Sequence, residues 1–596
     1  MSNTENMAPH LHLLRDELQR LNVDGFIIPL NDEFHGEAAP AASERLKWLT
    51  GFTGSAGVAA VTHDKAAIFV DGRYTLQVRQ EVDTGLFTPR HVTEEPLTDW
   101  ITDTLTRGQK MAFDPWLHTE NNVKALKADL ERAGIELIPL SPNPVDTIWA
   151  DRPEPPMALV VPHKQEFTGQ SSRDKRSKIS DQMIANHVDA IIHTLPDVTS
   201  WLLNIRGGDL PSTPFALGFS VLHKDQTVDL FIAEQKIAPD LMAHLGNGVR
   251  VHNPDKFERH LLSLTGQTVQ IDPATTSQQI VDQLHRTKAT IIRNADPCLL
   301  AKACKNETEI QGTRKAHIRD GGAIAKFLHW VSEQAPTGTL DELTAEQKLY
   351  DFRAAGKNFK DTSFSTIAGA GPNGAIVHYR SSPATNRKLD QNSLFLVDSG
   401  GQYLDGTTDI TRTIAIGTPT DEMKNHFTHV LKGHIALARA VFPTGTTGSQ
   451  LDTLARQPLW RLGLDYDHGT GHGVGSYLSV HEGPQRISKM PSTIALQPGM
   501  ILSNEPGYYK TGEYGIRIEN LVTVCEYPTP DGGERPLLSF ETLTFAPIDR
   551  YAIDPSLLDS DEKQWLNTYH KDVWDKLSGQ LEGAAKDWLK AATAPI

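Results

Sequence analysis

Four acidic side chains and one histidine, each inside its own short glycine- or strand-rich motif, place the tightest constraint on how this chain can fold. They are Asp398 in LFLVDSGG, Asp409 in GTTDITRT, His472 in HGTGHGVG, Glu505 in LSNEPGYY and Glu519 in GIRIEN. Four carboxylates aimed from apolar strands toward one place repel one another and lose their hydration, so cations must sit between them. Two divalent metal ions would cancel that charge. Such a pair also turns water into a nucleophile at neutral pH, and the segment therefore reads as a hydrolase centre.

Local pattern refines this picture. In NSLFLVDSGGQYLDGTTDITRTIAIG two strand-like runs flank a glycine turn, which predicts a hairpin that brings Asp398 and Asp409 face to face. Asp405, directly before Gly406, reads as a turn former. His472 stands between His468 and His481 in a glycine-rich stretch where the backbone can approach an ion closely, and imidazole is a common ligand for divalent metals. In YGIRIENLVTV, alternation puts Gly515, Arg517 and Glu519 on one strand face. Arg517 is accordingly expected to hold ligand carboxylates through charge-assisted hydrogen bonds.

With 596 residues the chain is expected to form about three domains, at roughly 100–200 residues each. A formal charge of -16 without a basic block argues against nucleic acid or an anionic membrane as the main partner. The three cysteines, Cys298, Cys304 and Cys525, have neither metal-ligand spacing nor a disulfide framework, which suits a reducing compartment. The opening MSNTENMAPHLHLLRDELQRL lacks a basic-then-apolar signal pattern, and no apolar run is long enough to span a bilayer. The expected location is cytoplasmic.

Along the chain, a helical pattern (Leu11, Leu14, Leu18, Leu21) runs into the strand VDGFIIPL, and the proline-rich DRPEPPM from Asp151 reads as a stiff linker. The design then recurs. Val23-Asp24 matches Val188-Asp189 and Trp48 matches Trp201, which indicates two diverged copies of one α/β domain. A long helix from about Glu307 (Ile310, Ala316, Ile324, Phe327, Leu328, Val331) opens the third region, and a later helix is expected to start with Ser449 as N-cap and Asp452 three residues on. Near the end, Trp565, Tyr569, Val573, Leu577, Leu581 and Trp588 form an apolar stripe at helical spacing. Its cover is either the chain's own third domain or a second copy in a dimer.

With VDSG, DGTTDITRT, HGTGHGVG, EPGYY and RIEN in that order, the chain resembles the pita-bread metallopeptidases, and among them the three-domain cytosolic Xaa-Pro aminopeptidase (aminopeptidase P) family. The likeness spans essentially the whole chain, including the duplicated domains, DGRY at Asp71–Tyr74 and the tail. It implies an α/β (α+β) fold: creatinase-like domains at 1–150 and 151–305, then a pita-bread catalytic domain at 306–596 with a helical extension from about 551. It implies two divalent metals, manganese foremost and zinc or cobalt as alternatives. Asp398 and Asp409 would bind one; Asp409, His472, Glu505 and Glu519 would reach across the other, with Asp398 bidentate and Asp409 and Glu519 bridging.

The same resemblance implies that a hydroxide between the metals attacks the carbonyl before proline, with Glu505 as proton shuttle. His378 in GAIVHYR, His468 and His481 would orient the substrate, stabilise the oxyanion and shape the proline pocket. Arg73 would bind substrate in the active site of the neighbouring subunit of a homodimer. The implied partners are peptides with proline second. Prolidase shares the metal set but takes only dipeptides, and methionine aminopeptidase lacks the duplicated domains. Some relatives have lost their ligands and serve as binding proteins, whereas all five ligand positions are filled here. The interval from His472 to His481 is longer than in short bacterial members and fits the long type.

Overall fold

The computed structural model describes residues 7–596; the first six, part of the segment read as lacking a signal pattern, lie outside the described residues. The chain divides into two compact units: residues to Gln165 with Gln170–Leu210 and Phe215–Leu299, and Glu166–Gly169 with Pro211–Pro214 and Leu300–Ile596. Among the described residues no helix is long and apolar enough to cross a membrane.

The first unit holds two six-stranded sheets of one design. One runs Thr88–His91, Ala66–Val70, Val58–Thr62, Gly25–Pro29, Lys110–Phe113, Glu136–Pro139, and the other Val249–His252, Val228–Phe231, Phe219–His223, Ala190–His193, Thr268–Ile271, Thr290–Arg293. In each the central pairings with the second and third strands are antiparallel and the outer ones parallel. The repeated Val-Asp has one job in both copies. Asp24 and Asp189 stand just before a central strand, and their carboxylates accept the amides of Lys110 (2.7 Å) and Thr268 (2.8 Å) at the start of its parallel neighbour. Trp48 and Trp201 each sit near the end of a helix stopped by a left-handed residue, Gly51 (φ 77°) and Asn204 (φ 51°).

The second unit opens with the helix Glu307–Gln334, started by a reciprocal cap between Asn306 and Glu309, with Ile310, Ala316, Ile324, Phe327, Leu328 and Val331 all buried. Among the described residues this unit has four sheets, one of them the two-stranded hairpin Gly507–Lys510/Tyr514–Arg517. Of the others, one pairs Ile367–Ala370, Ser393–Ser399 and Ile410–Ile416; a second pairs Phe359–Thr362, Gly401–Tyr403 and Gly406–Thr407; the third contains Asn520–Tyr527, Ile501–Asn504 and Gly471–Gly473.

Three local expectations need correction. The hairpin around Asp398 is not closed by a simple glycine turn: residues 401–407 fold into a different sheet, and Asp398 pairs with Thr411, two residues beyond Asp409. Arg517 and Glu519 do not share one strand, because Tyr514–Arg517 belongs to a hairpin with Gly507–Lys510 and a new strand starts at Asn520. The later helix runs Gly448–Trp460 with Thr447, not Ser449, as N-cap: Thr447 is the last extended residue (ψ 157°), and its amide donates to Gln450 Oε1 at 2.8 Å. Asp452 is instead buried, accepting from Arg456 Nε (2.7 Å) and Thr470 Oγ1 (2.6 Å).

The C-terminal stripe lies on two helices, Ser560–Leu577 and Gly583–Ala592, rather than one. Its cover is the chain's own second unit. Leu566, Tyr569, Val573, Leu577 and Leu581 share a core with Ala325, Phe427, Val430 and Leu431, while Trp565 and Trp588 pack at its edge. Leu577→Ala should therefore cost about 2–5 kcal/mol, whereas the same change at exposed Leu462 should stay within about 0.5 kcal/mol. Denaturation midpoints of the two variants check this, and equal midpoints would refute the docking of the tail.

Candidate metal centre

Four of the five proposed ligands sit where a strand of the second unit ends or begins, and His472 is the centre of a three-residue one. Asp398 is the penultimate residue of Ser393–Ser399, Asp409 precedes Ile410–Ile416, His472 is the middle of Gly471–Gly473, Glu505 follows Ile501–Asn504 and Glu519 precedes Asn520–Tyr527. Strand cores anchor the backbone at these points while the ends leave the side chains room to converge. The donor atoms of Asp409, His472 and Glu519 all lie within 4.8 Å of one another. His472 Nε2 is 3.5 Å from both Asp409 Oδ2 and Glu505 Oε1.

His472 Nδ1 lies 2.9 Å from the Gly473 carbonyl, to which it can only donate, so the ring hydrogen is held there and Nε2 turns toward the acids. Its amide donates to Ser503 Oγ (2.9 Å), and that hydroxyl donates to Glu505 Oε1 (3.0 Å). The Glu505 amide is fixed by the Thr470 carbonyl at 2.9 Å. Glu519 is buried, with Oε2 accepting from Thr411 Oγ1 at 2.7 Å. Asp398 lies outside the convergent trio and is held from behind by Arg517, whose Nη2 is 2.6 Å from Oδ2. Each carboxylate oxygen offers two lone pairs, so this hydrogen bond leaves both Asp398 oxygens able to ligate.

Electrostatics favour a cation here. Burial, together with the charges of Asp409, Glu505 and Asp398, pushes the Glu519 carboxyl well above the usual range. Burial also raises Asp409 to about 6, against the hydrogen bond from His472 and with the help of Asp398. Burial alone would lower His472, yet Asp409 and Glu505 lift it to about 9. Acids reluctant to ionise around a base eager for charge mark a place that accepts a cation. The test of fit is direct: Asp398 Oδ1 and Asp409 Oδ1 are buried and have no hydrogen-bond partner. Two bare carboxylate oxygens, one of them on the aspartate 3.5 Å from an imidazole nitrogen, suit divalent metal ions.

The other expected histidines divide. His468 is buried, with Nδ1 2.8 Å from the Gly469 carbonyl and 3.8 Å from Glu505 Oε2. His481 is exposed and meets the His472 ring edge-to-face at 4.3 Å. His378 is half-buried, next to Val377, whose carbonyl accepts from Arg517 Nη2 at 3.4 Å. Arg73 belongs to the first unit, where Asp71 forks its guanidinium at 2.7–3.2 Å. Asp405, expected only as a turn former, is also buried against Arg319.

Two side chains escaped the sequence reading. Tyr509, within the EPGYY motif, has its hydroxyl 2.5 Å from Arg517 Nη1 and 2.8 Å from His468 Nε2. His468 Nδ1 faces the Gly469 carbonyl and so carries the ring hydrogen, which leaves Nε2 of the neutral ring to accept from the tyrosine hydroxyl while Arg517 donates to it. A line of hydrogen bonds runs from Asp398 through Arg517 and Tyr509 to His468. Nothing in the sequence separates Tyr509 from Tyr508; the pairing of Tyr509 with Gly515 in the hairpin decides it. Arg412, buried in TTDITRT, donates to the Glu519 carbonyl (2.6 Å), Asn520 Oδ1 (2.8 Å) and Tyr569 of the C-terminal helix (2.8 Å). It was overlooked because an arginine in a strand reads as exposed.

Comparison with known proteins follows the same lines. Residues 311–526 match the model of metallopeptidase family M24, residues 536–596 the C-terminal region of peptidase M24, and residues 11–149 and 151–309 match creatinase/prolidase N-terminal domains. The chain is 38% identical to a probable Xaa-Pro aminopeptidase P of Talaromyces marneffei, over 100% of this chain and 93% of that protein. It is 39% identical to aminopeptidase P2 of Arabidopsis thaliana, over 97% of this chain and 86% of the relative. The crystal structure of X-prolyl aminopeptidase from Caenorhabditis elegans, described as a cytosolic enzyme with a di-nuclear active site, superposes with a TM-score of 0.95 at 34% identity, covering 99% of this chain and 100% of that one. Identity at this level along the full length leaves one conclusion: the chain belongs to metallopeptidase family M24, in its branch with creatinase/prolidase N-terminal domains.

Proposed function

We propose that this chain is a metal-dependent aminopeptidase that removes the first residue of a peptide when proline is second. The reading rests on the convergence of Asp409, His472 and Glu519 with bare oxygens on Asp398 and Asp409, in a chain 38% identical over its full length to a probable Xaa-Pro aminopeptidase P. Asp398, Asp409, His472, Glu505 and Glu519 would hold two divalent ions, manganese foremost. Bound there, the ions would supply Lewis acidity and lower the pKa of water. Glu505 would move the proton; in support, His468 holds its Nδ1–H 3.8 Å from Glu505 Oε2. His378 and His481 are assigned to the substrate.

Proline's tertiary amide carries no N–H and its ring fixes φ, so a bond before proline needs a pocket that does not rely on a backbone donor. The remaining assignments extend the same proposal: Arg73, held in place by Asp71, binds peptide; the assembly is a homodimer; the location is cytoplasmic; and domain boundaries fall near residues 150 and 305.

Asp409→Asn should abolish activity and metal binding while circular dichroism stays unchanged, because one fewer charge leaves two cations under-neutralised. Two tightly held metals with ordinary turnover in that variant would end the dinuclear reading. His378→Ala and His481→Ala should each reduce kcat by about 10²–10³ with full metal content by elemental analysis. Metal loss in either would move that histidine among the ligands. For specificity, release of the first residue from Arg-Pro-Pro, Arg-Ala-Pro and acetyl-Arg-Pro-Pro should occur efficiently only with the first peptide. Comparable rates on the first two, or cleavage of the blocked one, would overturn the assignment, and activity confined to Arg-Pro would make it a prolidase.

A further inference from the structure

Outside the five motifs, three histidines close around one aspartate in the second sheet of the first unit. Asp229, on Val228–Phe231, is buried with only 3% of its side chain exposed. His223 Nε2, from the end of the antiparallel neighbour, lies 2.7 Å from Oδ2; His252 Nε2, from the end of the parallel neighbour, lies 2.7 Å from Oδ1. His260, on the helix Phe257–Ser263, brings Nε2 to 3.7 Å from Oδ2. That nitrogen is buried and makes no hydrogen bond. The donor atoms of His223, Asp229 and His260 all lie within 4.8 Å of one another.

The fold does not require this cluster. The first sheet has the same strand order, and its strand corresponding to Val228–Phe231 is the wholly apolar Ala66–Val70. The corresponding edge strand of the first sheet, Thr88–His91, ends in a histidine just as Val249–His252 does, so the acid on the strand beside it is the second copy's addition to a scaffold that packs without it. We propose that Asp229, His223 and His260, with His252 adjoining, bind one first-row transition-metal ion of the zinc or nickel type, at a site separate from the five-ligand centre.

Geometry and chemistry both favour this. At metal–ligand bonds of about 2.0–2.1 Å, neighbouring donors in a tetrahedral shell stand roughly 3.3 Å apart, so spacings of 2.7 and 3.7 Å need little adjustment. Binding shifts the ring hydrogens to Nδ1 and leaves each Nε2 lone pair for the ion. Imidazole-rich sites select zinc, copper or nickel over manganese, opposite to the carboxylate-rich centre. The rings are already oriented: Phe231 stacks on His252 at 5.1 Å and packs against His260 at 5.1 Å. Arg250 forks Asp229 from the other side, Nε and Nη2 each at 2.7 Å, fixing the carboxylate plane. Burial opposes ionisation of Asp229, yet Arg250, His223 and His252 hold its carboxyl far below the usual range. His223, His252 and His260 remain 17%, 29% and 19% exposed, which leaves an ion a way in.

The test uses the full-length protein, stripped by chelation, and a His223→Asn/His260→Asn double variant. Zinc bound after equilibrium dialysis should fall by one equivalent in the variant, while its manganese-supported peptidase activity and circular dichroism match the parent. Equal zinc content in the two proteins overturns the proposal. Should the variant fail to fold, the parent protein alone decides: zinc should protect His223 and His260 from diethyl pyrocarbonate in peptide mass mapping. Equal modification with and without zinc overturns it as well.

Discussion

The mutual repulsion of four convergent carboxylates, three of them buried, is the constraint around which the second unit is arranged. Asp398, Asp409 and Glu519 are each less than a tenth exposed, and Glu505 adds a fourth charge beside them. Protein groups relieve only part of that repulsion. Arg517 neutralises Asp398 from behind, Thr411 and Ser503 donate to Glu519 and Glu505, and His472 draws charge between Asp409 and Glu505. What remains is a deficit of positive charge directed at bare oxygens, and a deficit of that kind selects divalent cations.

Support for these groups comes from separate sheets: two that carry the proposed ligands and the short hairpin that carries Arg517. The pairing of Ser393–Ser399 with Ile410–Ile416 sets Asp398 beside Thr411, and Thr411 reaches Glu519 from a different sheet. Arg412 ties the same strand to the Glu519 carbonyl and to Tyr569, so the C-terminal helix stands directly behind a proposed ligand. The tail is therefore part of the structure that holds the site, since its Tyr569 hydroxyl shares the buried Arg412 Nη2 with Asn520 Oδ1 and the Ala546 carbonyl.

The first unit shows what duplication permits. Two sheets with one strand order keep the Val-Asp pair that starts a central strand, because that carboxylate caps the amide of the next strand in both copies. Elsewhere the copies differ in chemistry without differing in framework. One carries an apolar strand where the other carries Asp229 with its histidines, so a charge cluster can be introduced or lost at modest cost to the fold.

Much of this was legible in the sequence: the five ligand motifs, the long helix from Glu307, the apolar tail and the two copies marked by Val-Asp and tryptophan all depend on local pattern, and local pattern is written in the order of residues. Only tertiary structure decided the rest. Whether Thr447 or Ser449 caps a helix turns on which residue stays extended, whether Arg517 and Glu519 share a strand turns on a break at 518–519, and which of two adjacent tyrosines meets His468 turns on hairpin register. Asp229, His223, His252 and His260 carry no motif at all, because residues on three strands and a helix become neighbours only when a sheet brings them together, and that proximity depends on pairing between distant segments rather than on spacing along the chain.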